Sequence, residues 1–353
     1  MRFRIFSPWL IAAFSCLAVA FFVRGIVSSM PMNRGSRPME GIVLSGNRSV
    51  VPFQNPKSVS DRLIATLSFV PGRARSVPLV AAMIENHEEA RAYQKGLKEA
   101  AAIFELIAEG DITRFIAFFP SDRLPAAIGP IRSLREHFVS IANGYKPLLL
   151  HVGGHPLAYE ALANNRELIH HDGIRFDGET YQRDREIPAP HNLFMQKEPL
   201  KELLAETELL PFSLPLFPTC SGAACNLSKG KSATKISINM GSRIHDVTYL
   251  YKSLFGAYTR TIDGAEKQGE PQNVVILEAI VSGFREKGYI PWTKTFGEGK
   301  MLLFRNGKVM EGVWKRDQGK PFAFFDAEGE KLLVAQGQVW VTMLPKLDMV
   351  TWE

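Results

Sequence analysis

The stretch ITRFIAFFP at residues 112–120 carries mostly apolar side chains and contains no glycine. Three comparable runs accompany it: VPLVAAMIE at 77–85, AAIFELIAE at 101–109 and KPLLLHVGG at 146–154. Short, nearly continuous apolar runs rich in Ile, Val, Leu and Phe are typical of strands that are buried on both faces. These four runs therefore predict buried strands.

Helix candidates fall between and after these strands. The segment SLREHFVSIAN at 133–143 opens with Ser133 as a potential N-terminal cap and stops before Gly144. The segment HPLAYEALANN at 155–165 has Pro156 in its first turn, where proline is well tolerated. Strands that alternate with helices predict an α/β domain, which we place at residues 76–212.

The second half of the chain has a different pattern. Residues 235–353 contain many short strand-like runs separated by Gly, Asn and Asp. In FRNGKVM, Asn306 and Gly307 suit a type I′ turn and predict a β-hairpin. We therefore expect a β-rich C-terminal domain, joined to the first domain by a loop at 213–234.

The N-terminus predicts a membrane segment. Two arginines precede an apolar run at residues 5–23, which is long enough to cross a bilayer with its positive end inside. Residues 1–28 are thus a signal anchor, or alternatively a signal peptide cleaved after Ala20. A linker rich in Pro, Gly and Ser follows at 29–75. The expected location is the cell membrane, single-pass, with the body outside the cytoplasm; cleavage would instead give a secreted or periplasmic protein.

The charge pattern argues against nucleic acid as a partner. The formal net charge is +6, but the basic residues are spread along the chain. Proteins that bind nucleic acid normally concentrate their basic residues in a patch. The excess is better explained by weak attraction to an acidic envelope surface.

The cysteines predict a disulfide. Cys220 and Cys225 lie in PTCSGAAC, and outside the cytoplasm two thiols in such a small loop can pair. Two free thiols are the alternative. Two cysteines without neighbouring histidines are weak evidence for zinc.

An anion site is suggested at GPIRS, residues 129–133. This turn precedes the predicted helix, so backbone N–H groups and the side chains of Arg132 and Arg135 are able to converge on a phosphate or carboxylate. In the alternative, Arg132 pairs with a buried acid such as Glu109 or Asp177 and only fixes the loop. Arginine suits both tasks.

The histidines are less specific. His151 and His155 flank a glycine pair, and His191 follows a proline. They form no compact HxH or HExxH pattern, so we predict no metal site and no cofactor. Hydrogen bonds from these histidines are expected to orient loops around the arginines. Glu105 and Glu109, four residues apart on a predicted strand, are expected to share one face.

Taken together, the motifs resemble a known family. MIENHEEARAYQKGL, IGPIRSLREHF, HVGGHPLAYEAL, FDGETYQRD and APHNLF occur in the order and spacing of the YerB-like lipoproteins, and the resemblance continues through GKMLLFRNGKVMEGVWKR. It implies an extracytoplasmic bacterial protein and carries no assigned chemistry. The chain departs from that family in lacking a convincing N-terminal lipid-attachment cysteine. It also has Asp111 where a second glycine is common, and Asp tolerates left-handed backbone.

These observations predict a membrane-tethered envelope protein that binds an anionic cell-wall or lipid-linked glycan component. The alternative is a hydrolase or transferase that acts on phosphodiester or glycan bonds of envelope polymers. Whether any reaction is catalysed is left open by the sequence. The candidate ligand-binding residues are Arg114, Arg132, Ser133, Arg135, His151, His155, Asp177, His191 and Asn192.

Overall fold

The structure is a computed structural model that describes residues 75–109, 112–264, 266–283 and 290–353. The predicted membrane segment and all of the predicted linker before Arg75 lie outside the described residues, as does Asp111. Within the described part of the chain, no helix is both long enough and apolar enough to cross a membrane.

Strands are the commonest regular element of the described residues, and a few short helices accompany them. The first strands are Arg75–Val77 (β1), Leu79–Glu85 (β2), Ala102–Glu109 (β3), Ile112–Pro120 (β4), Ala127–Ile128 (β5), Leu148–His151 (β6), His170–Asp172 (β7), Tyr181–Arg183 (β8), Leu193–Gln196 (β9) and Phe212–Leu214 (β10). Later strands are Thr219–Cys220 (β11), Lys231–Ser232 (β12), Lys235–Ile238 (β13), Val247–Lys252 (β14), Ala257–Ile262 (β15), Glu266–Gly269 (β16), Asn273–Glu278 (β17) and Val281–Ser282 (β18). The last are Trp292–Thr293 (β19), Gly297–Arg305 (β20), Lys308–Arg316 (β21), Ala323–Phe325 (β22), Val334–Ala335 (β23), Val339–Leu344 (β24) and Val350–Trp352 (β25). The α-helices of the described residues are Glu88–Arg91 (α1), Glu136–Asn143 (α2), Pro156–Asn164 (α3) and Lys197–Glu206 (α4).

One large sheet organises the fold. Its strand order is β12-β21-β20-β17-β24-β3-β4-β2-β6-β7, with β22 paired to β21. The odd-numbered apolar side chains of β2, beginning with Leu79, enter one core cluster, and the even-numbered ones, beginning with Val80, enter another. Burial on both faces explains why these strands are continuously apolar in sequence.

The two halves of the chain share this sheet. β24, from the second half, lies between β17 and β3 and runs parallel to both. The predicted alternation of strands and helices in the first half is only partly present, because β2, β4 and β3 are antiparallel neighbours. A separate five-stranded sheet, β16-β15-β14-β13-β25, covers a third core cluster.

The predicted hairpin is confirmed. β20 and β21 pair antiparallel on either side of Asn306 and Gly307, which have φ of 52° and 70°. Positive φ at both central residues is what a type I′ turn requires.

The start of one predicted helix was wrong. α2 begins at Glu136 rather than after Ser133, and Arg135, in extended conformation, occupies the cap position without a capping side-chain hydrogen bond. The residues before it are held extended, because Leu134 N–H donates to Gly153 O at 3.0 Å. α3 begins as predicted at Pro156.

A buried polar network lies between the large sheet and the five-stranded sheet. Arg260 donates to both carboxylate oxygens of Glu105 at 2.8 Å, and both side chains are almost completely buried. Trp340 Nε1 and the Thr113 hydroxyl also donate to Glu105, at 3.0 and 2.8 Å. The Arg260 guanidinium lies over the Trp340 ring, 4.4 Å from its centre. Glu105 thus joins Thr113 of the first half of the chain to Arg260 and Trp340 of the second half.

The loop that joins the two halves contains the Cys220–Cys225 disulfide, with a Cα–Cα distance of 5.2 Å. A 3₁₀ turn at Gly222–Cys225 brings the second cysteine back towards the first. Both residues are buried.

Candidate functional site

The turn that carries Arg132 lies against the C-terminal end of β2. Arg132 N–H donates to Met83 O at 2.9 Å, and Ile131 N–H donates to Leu193 O at 2.8 Å. The turn is therefore fixed between β2 and β9. This places the Arg132 side chain beside Glu85, the last residue of β2.

We call Arg114, Arg132, Arg135 and the carboxylate of Glu109, which Arg114 and Arg135 share, the arginine turn. Arg114 on β4 donates to Glu109 at 3.0 Å and to Ser133 O at 2.8 Å. Arg135 also donates to Glu109. Arg114 and Arg135 are buried, whereas the Glu109 side chain is 44% exposed. The turn thus contains a concentration of positive charge with one solvent-accessible carboxylate across it.

The electrostatics of the turn follow from this arrangement. Burial, together with repulsion from Arg135, lowers the pKa of Arg114 to about 10, and Glu109 offsets part of that shift. The group remains charged at neutral pH. Burial by itself raises the pKa of Glu109, but Arg114 and Arg135 outweigh it and hold that pKa below its ordinary value. Glu109 is therefore ionised at neutral pH.

Arg132 pairs with neither of the acids expected from the sequence. Its Nε lies 3.0 Å from Glu85 Oε1, although the pair is not aligned as a hydrogen bond. Glu109 is taken by the other two arginines, and Asp177 pairs with Arg183 at 2.7 Å. The acid that anchors Arg132 was missed because it ends an otherwise apolar run.

Glu85 also belongs to a second group, and we call Glu85, His87, Glu89 and His191 the histidine–glutamate cluster. Glu85 Oε2 lies 2.9 Å from His191 Nδ1, and Glu89 Oε2 lies 3.1 Å from His191 Nε2. The rings of His87 and His191 are stacked with centres 5.7 Å apart. Ligand atoms of His87, Glu89 and His191 all lie within 4.8 Å of one another. Glu85 connects this cluster to Arg132.

The expected carboxylate pair does not form. A register shift between Ile107 and Glu109 interrupts the alternation of β3, so that Glu105 and Glu109 have no common partner. Glu105 contacts Thr113 and Arg260, whereas Glu109 contacts Arg114. Thr113 and Arg114 are adjacent on β4, so their side chains point to opposite faces of the sheet. The two carboxylates are therefore not placed to act together as acid and base.

The remaining predicted histidines lie elsewhere. His151 Nδ1 is 2.9 Å from Gly153 O and its Nε2 is 3.0 Å from His170 Nδ1. Burial lowers the pKa of His151, which keeps the ring neutral. His155 caps α3 by accepting from Leu157 N–H at 3.4 Å. Both side chains have contacts that fix loops.

Asp177 and Asn192 form a third group around Arg183. Arg183 donates to Asp177 Oδ2 at 2.7 Å and to Asn192 Oδ1 at 3.0 Å. The structure therefore distributes the candidate residues over three clusters, with His151 and His155 outside all of them. It brings together Arg114, Arg132, Arg135, the carbonyl of Ser133 and, through Glu85, His191.

Two surface concavities lie at other positions. One of about 530 Å³ is lined by residues that include Gln94, Lys98 and Lys267, and another of about 210 Å³ is lined in part by Lys294 and Trp314. Neither is lined by a residue of the arginine turn.

Comparison with known proteins identifies the family. A model described as "Protein of unknown function (DUF3048) N-terminal domain" matches residues 68–210, and the model of the corresponding C-terminal domain matches residues 236–341. The chain belongs to the DUF3048 family. YerB of Bacillus subtilis (strain 168), which is named as a proposed lipoprotein, is 32% identical to this chain over 279 residues, covering 76% of this chain and 82% of YerB.

A solved structure supports the same assignment. The crystal structure of the YerB protein from Bacillus subtilis matches this DUF3048 chain with a TM-score of 0.68 and 27% identity, covering 79% of this chain and 94% of that one. The resemblance to YerB-like proteins found in the sequence is thereby confirmed. The family description assigns no activity.

Sequence reasoning missed three members of the site in this DUF3048 chain. Glu85, His87 and Glu89 lie in IENHEE, where Glu85 ends β2 and the other two follow it. His87 and Glu89 alternate at the start of α1, and charged or imidazole groups immediately after a buried strand are a usable signal. The partner His191 is more than 100 residues further along the chain, so local spacing was not informative.

Proposed function

We propose that this protein is an extracytoplasmic, membrane-tethered component of the cell envelope that binds a phosphate-bearing anionic ligand at the arginine turn. The extracytoplasmic location is supported by the apolar run at residues 5–23 and by the name of the relative YerB. The ligand class is an anionic wall polymer or a lipid-linked glycan.

The observation that carries the proposal is the excess of guanidinium groups over carboxylates. Arg114, Arg132 and Arg135 have only Glu109 and Glu85 as ion-pair partners among the described residues. The Nε atom of Arg135 is buried and makes no hydrogen bond within the described part of the chain. Buried donors without partners are costly, so an added acceptor is favoured.

Two further features support an anion at this position. No side chain caps the N-terminus of α2, which begins directly after Arg135, and helix N-termini favour negative charge. The partly exposed carboxylate of Glu109 already occupies the place of an anion between Arg114 and Arg135. Guanidinium groups suit phosphate because they bind two oxygens at once.

The test is a calorimetric titration of the full chain with two probes, a short glycerol-phosphate oligomer and an uncharged glycan of similar length. We expect the charged probe to bind and the uncharged probe not to bind. Arg132→Ala should weaken binding by about 10–100-fold, the loss expected for hydrogen bonds to a charged group. Arg183→Ala is the matched control, since Arg183 is an exposed arginine that pairs with Asp177 outside the turn.

Circular dichroism checks the fold of each variant. Arg132→Lys retains the positive charge beside Glu85 but loses the planar guanidinium group that contacts two oxygens at once, so this variant should also bind the charged probe less tightly. Equal loss in Arg132→Ala and Arg183→Ala would mean that binding is a diffuse charge effect. Absence of binding by the unmodified chain would contradict the proposal.

A further inference from the structure

We propose that His87, Glu89 and His191 form a binding site for a divalent transition-metal ion of the zinc class. This inference goes beyond the proposed anion binding. Two imidazoles and one carboxylate are a common donor set for zinc, and they also occur in iron sites. Within the described residues, these three are the group whose ligand atoms converge most closely, all within 4.8 Å of one another.

The distances are compatible with one shared ion. Ligand atoms in a tetrahedral zinc site lie about 3.3 Å apart when the bonds are about 2.0 Å long. His191 Nε2 and Glu89 Oε2 are 3.1 Å apart. These two atoms are therefore already at the required spacing, and the site needs only a modest approach of His87.

The orientation of His191 is the strongest part of the argument. Its Nδ1 lies 2.9 Å from Glu85 Oε2, and the Glu85 side chain is only 4% exposed. A carboxylate that accepts from one imidazole nitrogen fixes the tautomer and directs the lone pair of the other nitrogen outward. Here that other nitrogen faces Glu89. Glu85 is in turn held on its other oxygen by Arg132, 3.0 Å away.

His87 is placed so that it is able to complete the set. Its Nδ1 accepts a hydrogen bond from Glu89 N–H at 3.3 Å, which is long for such a bond. Rotation of the His87 ring towards an ion would therefore give up only a weak hydrogen bond. The 31% exposed His87 and 70% exposed Glu89 lie on the solvent side, while His191 closes the site from the interior. The open side leaves coordination positions for water or for an exogenous ligand.

The site can be tested with zinc alone, in the absence of any phosphate. The full chain, freed of metal with a chelator, is titrated with zinc chloride in competition with a chromophoric chelator. We expect one zinc ion per chain with a dissociation constant of micromolar or lower. His87→Ala and Glu89→Gln should each weaken binding at least tenfold. Glu85→Gln should weaken it by about 10–100-fold, as loss of an orienting carboxylate does in other metal sites.

Matched controls exclude nonspecific binding by surface histidines. His155 also caps a helix by accepting a backbone N–H bond on Nδ1, so His155→Ala repeats the structural change of His87→Ala away from the cluster. His170→Ala tests the neighbouring pair of His151 and His170. Both control variants should bind zinc as the unmodified chain does.

His87 and Glu89 are partly exposed, so their variants are expected to fold, and circular dichroism verifies this. Less than one zinc bound per chain would overturn the proposal. So would binding that survives both His87→Ala and Glu89→Gln, or binding that is lost in His170→Ala. None of these outcomes depends on whether the arginine turn binds an anion, because no anionic ligand is present in the titration.

Discussion

Replacement of Arg260 by methionine should cause a large loss of stability. Arg260 and Glu105 are paired through two 2.8 Å contacts, with 0% and 1% of their side chains exposed. Removing one partner of a buried ion pair costs about 3–5 kcal/mol, because the remaining charge is left in the interior. Glu105 retains donors from Trp340 and Thr113, so we expect a value near the lower limit, about 3 kcal/mol.

The assay is urea unfolding of the full chain followed by tryptophan fluorescence, with thermal melts in parallel. A loss of this size corresponds to a decrease in Tm of roughly 5 °C for a protein of this length. The double variant Glu105→Gln/Arg260→Met removes both charges and retains a polar partner for Trp340. It should recover most of the lost stability. A single variant within about 1 kcal/mol of the unmodified chain would refute the argument, as would a double variant no more stable than the single one.

Two further predictions concern pH and the disulfide. Burial, with added repulsion from Arg135 and Arg114, lowers the pKa of His137 to about 3, well below its ordinary 6.5. Between these two pH values the unfolded chain therefore binds more protons than the folded chain, and the urea midpoint should fall as the pH is lowered from 7 to 5. His137→Phe should reduce this pH dependence. A urea midpoint that does not change with pH would contradict the prediction. Replacing both Cys220 and Cys225 by serine opens a six-residue ring and should cost about 2 kcal/mol in urea unfolding. Alkylation of both thiols in the unreduced chain would contradict the disulfide.

The local elements of the fold were predictable because their causes are local. The run at 112–120 became β4, since a short, nearly continuous apolar segment rich in Ile and Phe is typical of a strand covered on both faces. The hairpin at Asn306 and Gly307 follows from the left-handed backbone that these residues tolerate. Pro156 similarly marks the first turn of α3.

Long-range pairing was not predictable from these patterns. The insertion of β24 beside β3 joins residues that are more than 230 positions apart, and it depends on packing of whole faces. Propensity and periodicity say which segments become strands but not which strands become neighbours. The expectation of a regular α/β first domain was therefore only partly met.

The candidate site shows the same division. GPIRS and its neighbouring helix predicted that Arg132 and Arg135 converge on an anion; Arg135 and Arg114 share Glu109, whereas Arg132 lies beside Glu85. The partner of Arg132 was not foreseen, because Glu85 is the polar end of a buried strand and its role depends on His191, which β9 brings next to it. The register shift in β3 that separates Glu105 from Glu109 also has no signal in the sequence.

The central claim, that the arginine turn binds a phosphate-bearing anion, is tested most directly by a titration with inorganic pyrophosphate. Glu109 occupies Arg114 and Arg135 and is 44% exposed, so a bound anion has to compete with it. Glu109→Gln should therefore bind pyrophosphate more tightly than the unmodified chain, by roughly fivefold if the displaced pair contributes about 1 kcal/mol. Arg132→Ala should bind it more weakly. Weaker binding by Glu109→Gln, or equal affinity in all three proteins, would contradict the account.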